Sequence, residues 1–170
     1  MANDGKFLNL TGGVPTQETA VTTSAGAGDA NKIPRLDAAG KLDSTVMPAG
    51  VGAEALSIVT SEALAAGDFV NIHDATGAKV RKADATTTGK EAHGFVLAAA
   101  ASGASVTVNF DGFNTGRTGM TPGAKQFLAI TAGASSASAP AVAGQVAQVI
   151  GYAVSATSMV FHPLSAITIA

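Results

Sequence analysis

The sequence predicts an all-β protein in which a small β-barrel or sandwich domain, residues 55–170, follows a long extended N-terminal arm, residues 1–54. After position 55, short segments that alternate apolar and polar residues recur about every 10 to 15 residues, separated by Gly or Pro turns. The segment 24–52 instead has small and turn-forming residues and no sustained period, so it cannot bury enough apolar surface to offset its ordering entropy. Only 5% of residues are aromatic, which also predicts a packed region shorter than the chain.

The arm begins with a short apolar patch at Phe7, Leu8 and Leu10, followed by two glycines and a proline. A patch of this length is not stable alone, so we expect it to add a strand to a neighbouring sheet or to enter a pocket. Residues 16–31 are polar and small and have no periodicity.

The second half of the arm carries isolated apolar side chains along an extended path. A turn is predicted at 37–40, where Asp comes first and Gly fourth. A monomer of this composition has no evident way to bury the apolar residues of the arm, so we expect them to contact a partner protein or a neighbouring subunit. These predicted partner-binding residues are Phe7, Leu8, Leu10, Ile33, Leu36, Leu42, Val46 and Met47.

The β domain is predicted from a series of short strands. The clearest is 105–110, where Val106, Val108 and Phe110 share one face. A type II turn is predicted at 121–124, and the best helix candidate, 61–66, lasts less than two turns. The predicted strands are 56–60, 69–73, 78–83, 94–97, 105–110, 126–131, 145–154 and 158–162.

The charge content and the short apolar runs of the chain argue against nucleic acid and membranes as partners. Charged residues make up 13% of the chain and its net charge is −2, so no basic surface for nucleic acid or anionic membrane is expected. No apolar run approaches the ~18 residues of a membrane span. Low charge is typical of a protein that is buried in an assembly. Lys79 and Arg81 would share a strand face, which suits a solvated surface and also an acidic protein partner.

Catalytic and metal-binding patterns are not found in the sequence. His73, His93 and His162 have no second ligand at metal-binding spacing, and the chain has no cysteine. The segment 25–29, AGAGD, lacks the ending and the helix of a phosphate-binding loop. No nucleophile elbow is present. We therefore expect a protein that is not an enzyme and that has no cofactor, metal or catalytic residue.

The segment GDANKIPRLDAAGKLDSTVMPAGVG, residues 28–52, resembles a linker that is common in structural proteins of tailed bacteriophages. Four later pieces resemble the small β domain of phage capsid decoration proteins, also called cement proteins. Related segments occur in phage fibre proteins. The four pieces are AAGDFV at 65–70, GFV at 94–96, TPG at 121–123 and GQVAQVIG at 144–151.

This resemblance implies a structural protein of the virion, located on the outer surface of the icosahedral capsid, that braces neighbouring major capsid proteins. It also implies a homo-oligomer, with a trimer favoured. The arm would run over the capsid surface and bridge subunits, which suits a segment that orders on binding. The alternative is a tail-fibre or head-fibre module that binds the host cell surface, for which the low aromatic content is less typical.

Overall fold

The computed structural model describes residues 5–47, 54–74 and 76–170, and the chain divides into two units. We call residues 1–52 the N-terminal unit and residues 53–170 the C-terminal unit. The end of the phage-like segment, 48–52, and Ala75 lie outside the described residues. Strands form the regular structure of the described ranges, apart from two short 3-10 helices, which confirms the predicted all-β class.

The N-terminal unit begins with a β-hairpin. Strands β1 (Lys6–Thr11) and β2 (Val14–Thr19) pair antiparallel. Gly12 and Gly13 form the loop between them with φ values of 61° and 83°, as a two-residue type I′ turn requires. The sequence predicts an isolated apolar patch at the first strand and no periodicity over 16–31, so this hairpin is not predicted.

The rest of the N-terminal unit folds back on itself. Val21 N donates to Ile33 O (3.0 Å), and Arg35 N donates to Val21 O (2.8 Å). The predicted turn at 37–40 is present, since Gly40 N donates to Asp37 O (3.1 Å). The 3-10 helices span Ala27–Asp29 and Ser44–Val46.

The structure therefore does not support the predicted extended arm. Apolar burial is not the only source of order in this unit, because Asp side chains accept hydrogen bonds from nearby backbone N–H groups. Ala39 N, for example, donates to Asp37 Oδ1 (2.8 Å).

The C-terminal unit contains a closed five-stranded barrel. Its order is β3 (Ala55–Thr60), β5 (Lys79–Lys82), β4 (Phe69–His73), β6 (Gly94–Val96) and β7 (Ser105–Asn109). β3 and β5 run parallel, and the other pairs are antiparallel. Buried side chains of the barrel strands, with Leu64, form one apolar cluster: Ile58, Leu64, Val70, Val80, Val96, Val106 and Val108.

A second sheet of five antiparallel strands belongs to the same unit. Its order is β10 (Ser135–Ser136), β9 (Lys125–Leu128), β12 (Val149–Ala153), β13 (Met159–Phe161) and β8 (Gly112–Asn114). A separate pair joins β11 (Val146–Ala147) to β14 (Ile167–Thr168). Phe161 of this sheet contacts two barrel residues, with ring centroids 5.8 Å from Phe69 and 5.5 Å from Phe95. These three rings belong to a second apolar cluster, which contains residues of both the barrel and the sheet.

Each predicted strand range contains a strand, although 145–154 is divided between β11 and β12. The type II turn at 121–124 is confirmed by a bond from Ala124 N to Thr121 O (3.0 Å) and by φ +81° at Gly123. The helix candidate 61–66 is wrong. Leu64 is buried there and forms an isolated bridge with Ala100, so tertiary pairing overrides local helix propensity.

Candidate functional site

The β-hairpin presents an exposed apolar face. Leu8 and Leu10 point to the same side of β1, because strand side chains alternate. Pro15 lies opposite Leu10 and is exposed as well. Leu8 is 76% exposed and Leu10 is 70% exposed. We call Leu8, Leu10 and Pro15 the hairpin face.

Phe7 is separated from the hairpin face. It lies on the other side of β1 and is half-buried. Polar contacts cross the two strands on this side: Asn9 Nδ2 donates to Glu18 Oε1 (3.2 Å), and Thr16 Oγ1 donates to the Asn9 carbonyl (3.1 Å). The structure therefore divides the predicted patch into an exposed part and a half-buried part.

The other predicted contact residues lie in the loops that follow the hairpin. Ile33, Leu36, Leu42 and Met47 are exposed, while Val46 is half-buried. Val46 and Met47 come together beside Val21 and Pro34 in a shallow cavity of about 270 Å³. Leu36 and Leu42 do not line this cavity.

Acidic side chains of these loops are engaged in local structure. Asp29 Oδ2 accepts from Ala25 N (2.6 Å), and Asp29 Oδ1 lies 2.9 Å from Lys32 Nζ. The bond from the Ala25 N–H, followed by that from Lys32, lowers the pKa of Asp29. An Asp of the chain itself thus accepts from the AGAGD loop, where a phosphate-binding loop would bind a phosphate. The Thr45 hydroxyl and N–H likewise lower the pKa of Asp43.

Ser61 and His73 form a contact that resembles a catalytic pair. Ser61 Oγ lies 2.8 Å from His73 Nε2 and 3.1 Å from the carbonyl oxygen of Val80. The carbonyl oxygen of Val80 also accepts from Ser61 N (2.8 Å), so it is paired without the hydroxyl. Which partner donates in the Ser61–His73 contact depends on the tautomer of the imidazole.

The predicted basic cluster is also engaged within the chain. Lys79 Nζ lies 3.0 Å from Asp74 Oδ2, and Arg81 Nε donates to Asn71 Oδ1 (3.1 Å). Within the described ranges, no group of three His, Cys, Asp or Glu side chains is placed to hold a metal ion. The same ranges contain no helix that is both long and apolar enough to cross a membrane.

The C-terminal unit exposes apolar surface that is not predicted from its sequence. Phe113 is 60% exposed on β8, and Tyr152 is 45% exposed on β12. A second cavity, of about 540 Å³, is lined mainly by small side chains together with the exposed Ile130 and Val142. The signal that could have revealed this surface is charge depletion, since residues 126–170 contain no Lys, Arg, Asp or Glu.

Exposed apolar side chains therefore occur in both units, among them those of the hairpin face and of the second sheet. Surfaces of this kind suit contact with another protein, because apolar area leaves water on binding. Comparison of the chain with protein-family models, curated proteins and solved structures gave no match.

Proposed function

We propose that this protein is a structural component of a tailed-bacteriophage virion that binds the outer surface of the icosahedral capsid and braces neighbouring major capsid proteins. The observation that carries the proposal is the exposure of Leu8, Leu10, Ile33 and Leu36 in a unit whose sequence resembles a phage structural linker. Apolar side chains this exposed have little to stabilise them until a partner covers them.

Burial of the exposed leucines would contribute substantial binding free energy to a contact with the capsid. Covering one exposed Leu side chain contributes about 1.5 to 3 kcal/mol. Leu8 and Leu10 lie on the same side of one β-hairpin, so a single contact with a partner would cover both side chains. We propose that the protein acts as a homo-oligomer, with the trimer that the phage resemblance implies. Several copies on a repeating lattice would multiply modest contacts into stable decoration.

The proposal is tested with capsids stripped of this protein, to which full-length variants are added and co-sedimented. The double variant Leu8→Asn, Leu10→Asn is expected to bind about 100-fold more weakly than the unmodified chain, since it loses two apolar contacts. The variant Leu164→Asn is the matched control, because Leu164 is an exposed leucine of the C-terminal unit. Equal binding by the double variant and the control would contradict the role of the hairpin face.

A fibre module that binds the host cell surface is the alternative outcome. In that case the protein would bind at a dozen or fewer positions on each particle rather than across the capsid lattice. The double variant would then leave cell-surface binding by the C-terminal unit unchanged.

A further inference from the structure

The second sheet of the C-terminal unit has one side packed against the core and one side on which Phe113 and Tyr152 are exposed. On the inner side, Met159 and Phe161 are fully buried. On the outer side, one residue from each of four neighbouring strands lies in a cross-strand row: Lys125 on β9, Tyr152 on β12, Val160 on β13 and Phe113 on β8. We call this side the outer sheet face.

Aromatic and apolar side chains cover the outer sheet face. The chain has seven Phe, one Tyr and no Trp. Three of these aromatic residues, Phe113, Phe127 and Tyr152, lie on this face. Val149 and Val160 lie between them and are half-buried. Aromatic residues are the type most enriched in the central part of protein interfaces.

Charge occurs only at the two ends of this cross-strand row, beside β9 and β8. Lys125 is the only charged residue in the five strands of the sheet, and Asp111 immediately precedes β8 at the opposite edge. Both residues are exposed. Among the described residues, neither has an ion-pair partner within the chain. The face therefore has a cation at one edge, an anion at the other and uncharged residues between.

This charge pattern determines which kind of partner the outer sheet face can bind. A partner with charged residues opposite the middle of the face would lose their hydration without gaining a counterion. A second copy of the same face avoids that cost. If a two-fold axis runs parallel to the strands, it reverses the strand order, so that β9 of one copy lies over β8 of the other. Lys125 then lies opposite Asp111 and Phe113 of the second copy, and the contact occurs twice.

The alternative two-fold axis runs across the strands, and the charges of the two copies disfavour it. It places each Lys125 opposite its own equivalent, and like charges repel.

We propose that the outer sheet face binds a second copy of this chain about a two-fold axis parallel to the strands. The contact spans four neighbouring strands, a width of about 15 Å, which is at the small end of interfaces and predicts micromolar affinity.

This self-association is independent of the proposed capsid role. It is also separate from the trimer that the phage resemblance implies, because a two-fold contact closes at two copies. If both contacts exist and their axes meet at right angles, the closed assembly is a hexamer. The number of copies is even when every outer sheet face is paired.

The test is sedimentation equilibrium of the full-length protein from about 1 μM to about 500 μM, a range that spans the expected affinity. The unmodified chain is expected to form dimers or hexamers. Lys125→Asp places a carboxylate opposite Asp111 and is expected to weaken the association about tenfold, and Asp111→Lys is expected to do the same. Combining both changes restores the opposite charges and is expected to restore affinity to within about twofold.

One control and one further test variant separate this contact from general surface effects. Val142→Gln alters an exposed apolar residue outside the sheet strands and is expected to leave the association unchanged. Phe113→Gln removes an aromatic ring from the face and is expected to weaken it. A protein that remains monomeric or exclusively trimeric at all concentrations would overturn the proposal. A double charge swap that fails to recover the association would overturn the two-fold orientation.

Discussion

At the scale of single residues, the buried side chain of Gln148 pairs backbone groups of a distant part of the chain. Its amide replaces a strand partner for Ala92: Oε1 accepts from Ala92 N (2.8 Å), and Nε2 donates to Ala92 O (3.0 Å). Nothing in the local sequence distinguishes Gln148 from the exposed Gln17, because the partner lies far away in the chain. Sequence alone therefore could not assign this role.

Replacing Gln148 by Met is expected to lower the free energy of unfolding by about 2 kcal/mol. The substitution keeps the volume but leaves both backbone groups of Ala92 unpaired. Urea unfolding of the full chain measures the change. Gln145→Met is the control, because its Oε1 accepts from Val142 N (3.3 Å) at an exposed site, and we expect less than about 0.5 kcal/mol there. Equal losses in the two variants would contradict the role of the Ala92 contacts.

Asp84 predicts a dependence of stability on pH. Burial alone would raise its pKa, but hydrogen bonds from the Thr86 hydroxyl, Lys90 Nζ and the Thr86 N–H together lower the pKa below the ordinary 3.8. A carboxylate with a lowered pKa in the folded state stabilises the protein above its ordinary pKa, and this contribution disappears as pH falls through the folded value.

The unmodified protein is therefore expected to lose stability as the pH falls below 3.8. Asp84→Asn is expected to be less stable near neutral pH and to lose less on acidification. Denaturation midpoints measured between about pH 7 and about pH 2.5 test this expectation. The same acid dependence in both proteins would show that Asp84 does not contribute.

Among the elements, β12 depends on a single glycine. Gly151 has φ +145°, and a Cβ at this position would overlap the carbonyl oxygen of Val160 on the neighbouring strand β13. The register between β9 and β12 shifts beside it, between Val149 and Gly151. A bulge of this kind re-aims the strand, and here Tyr152 follows directly on the outer sheet face.

Gly151→Ala is expected to lower the free energy of unfolding by about 3 kcal/mol, since the β12–β13 pair must separate to admit the methyl group. Gly112→Ala is the matched control, because Gly112 also has positive φ, +108°, but has open space around it. It is expected to lose only about 1 kcal/mol, from backbone strain. Chemical denaturation compares them, and similar losses would rule out the steric explanation.

Length and composition together explain which strands were predictable. Alternation over five residues marks β7, and the three-residue strands β6 and β13 consist mainly of apolar residues. Strands β8, β10 and β14 are equally short or shorter and include polar residues, so no pattern marks them. The apolar residues of the N-terminal unit could be identified from composition. The separation of Phe7 from Leu8 and Leu10 depends on hairpin pairing, which the sequence analysis did not assign.

At the scale of the whole molecule, the C-terminal unit contains both apolar clusters. A variant that begins at Glu54 is therefore expected to unfold cooperatively on its own, with a denaturation midpoint close to that of the full chain. It is also expected to lose capsid binding, because it lacks the hairpin face. Circular dichroism and co-sedimentation measure the two properties. Capsid binding retained by this variant would contradict the assignment of the contact to the N-terminal unit.

The two proposed surfaces are separable by mutation, because they lie in different units of the chain. The Leu8→Asn, Leu10→Asn variant is expected to keep self-association and to lose capsid binding. The Lys125→Asp variant is expected to weaken self-association and to leave the hairpin face intact. Loss of both properties in either variant would mean that the two surfaces act as one.

The capsid role itself is tested most directly by counting the copies of full-length protein that co-sediment with capsids stripped of it. The account predicts saturable binding, with a copy number that matches a class of symmetry sites on the icosahedral lattice. Binding at a dozen or fewer positions, or no binding, would contradict decoration of the capsid and favour a fibre or vertex location.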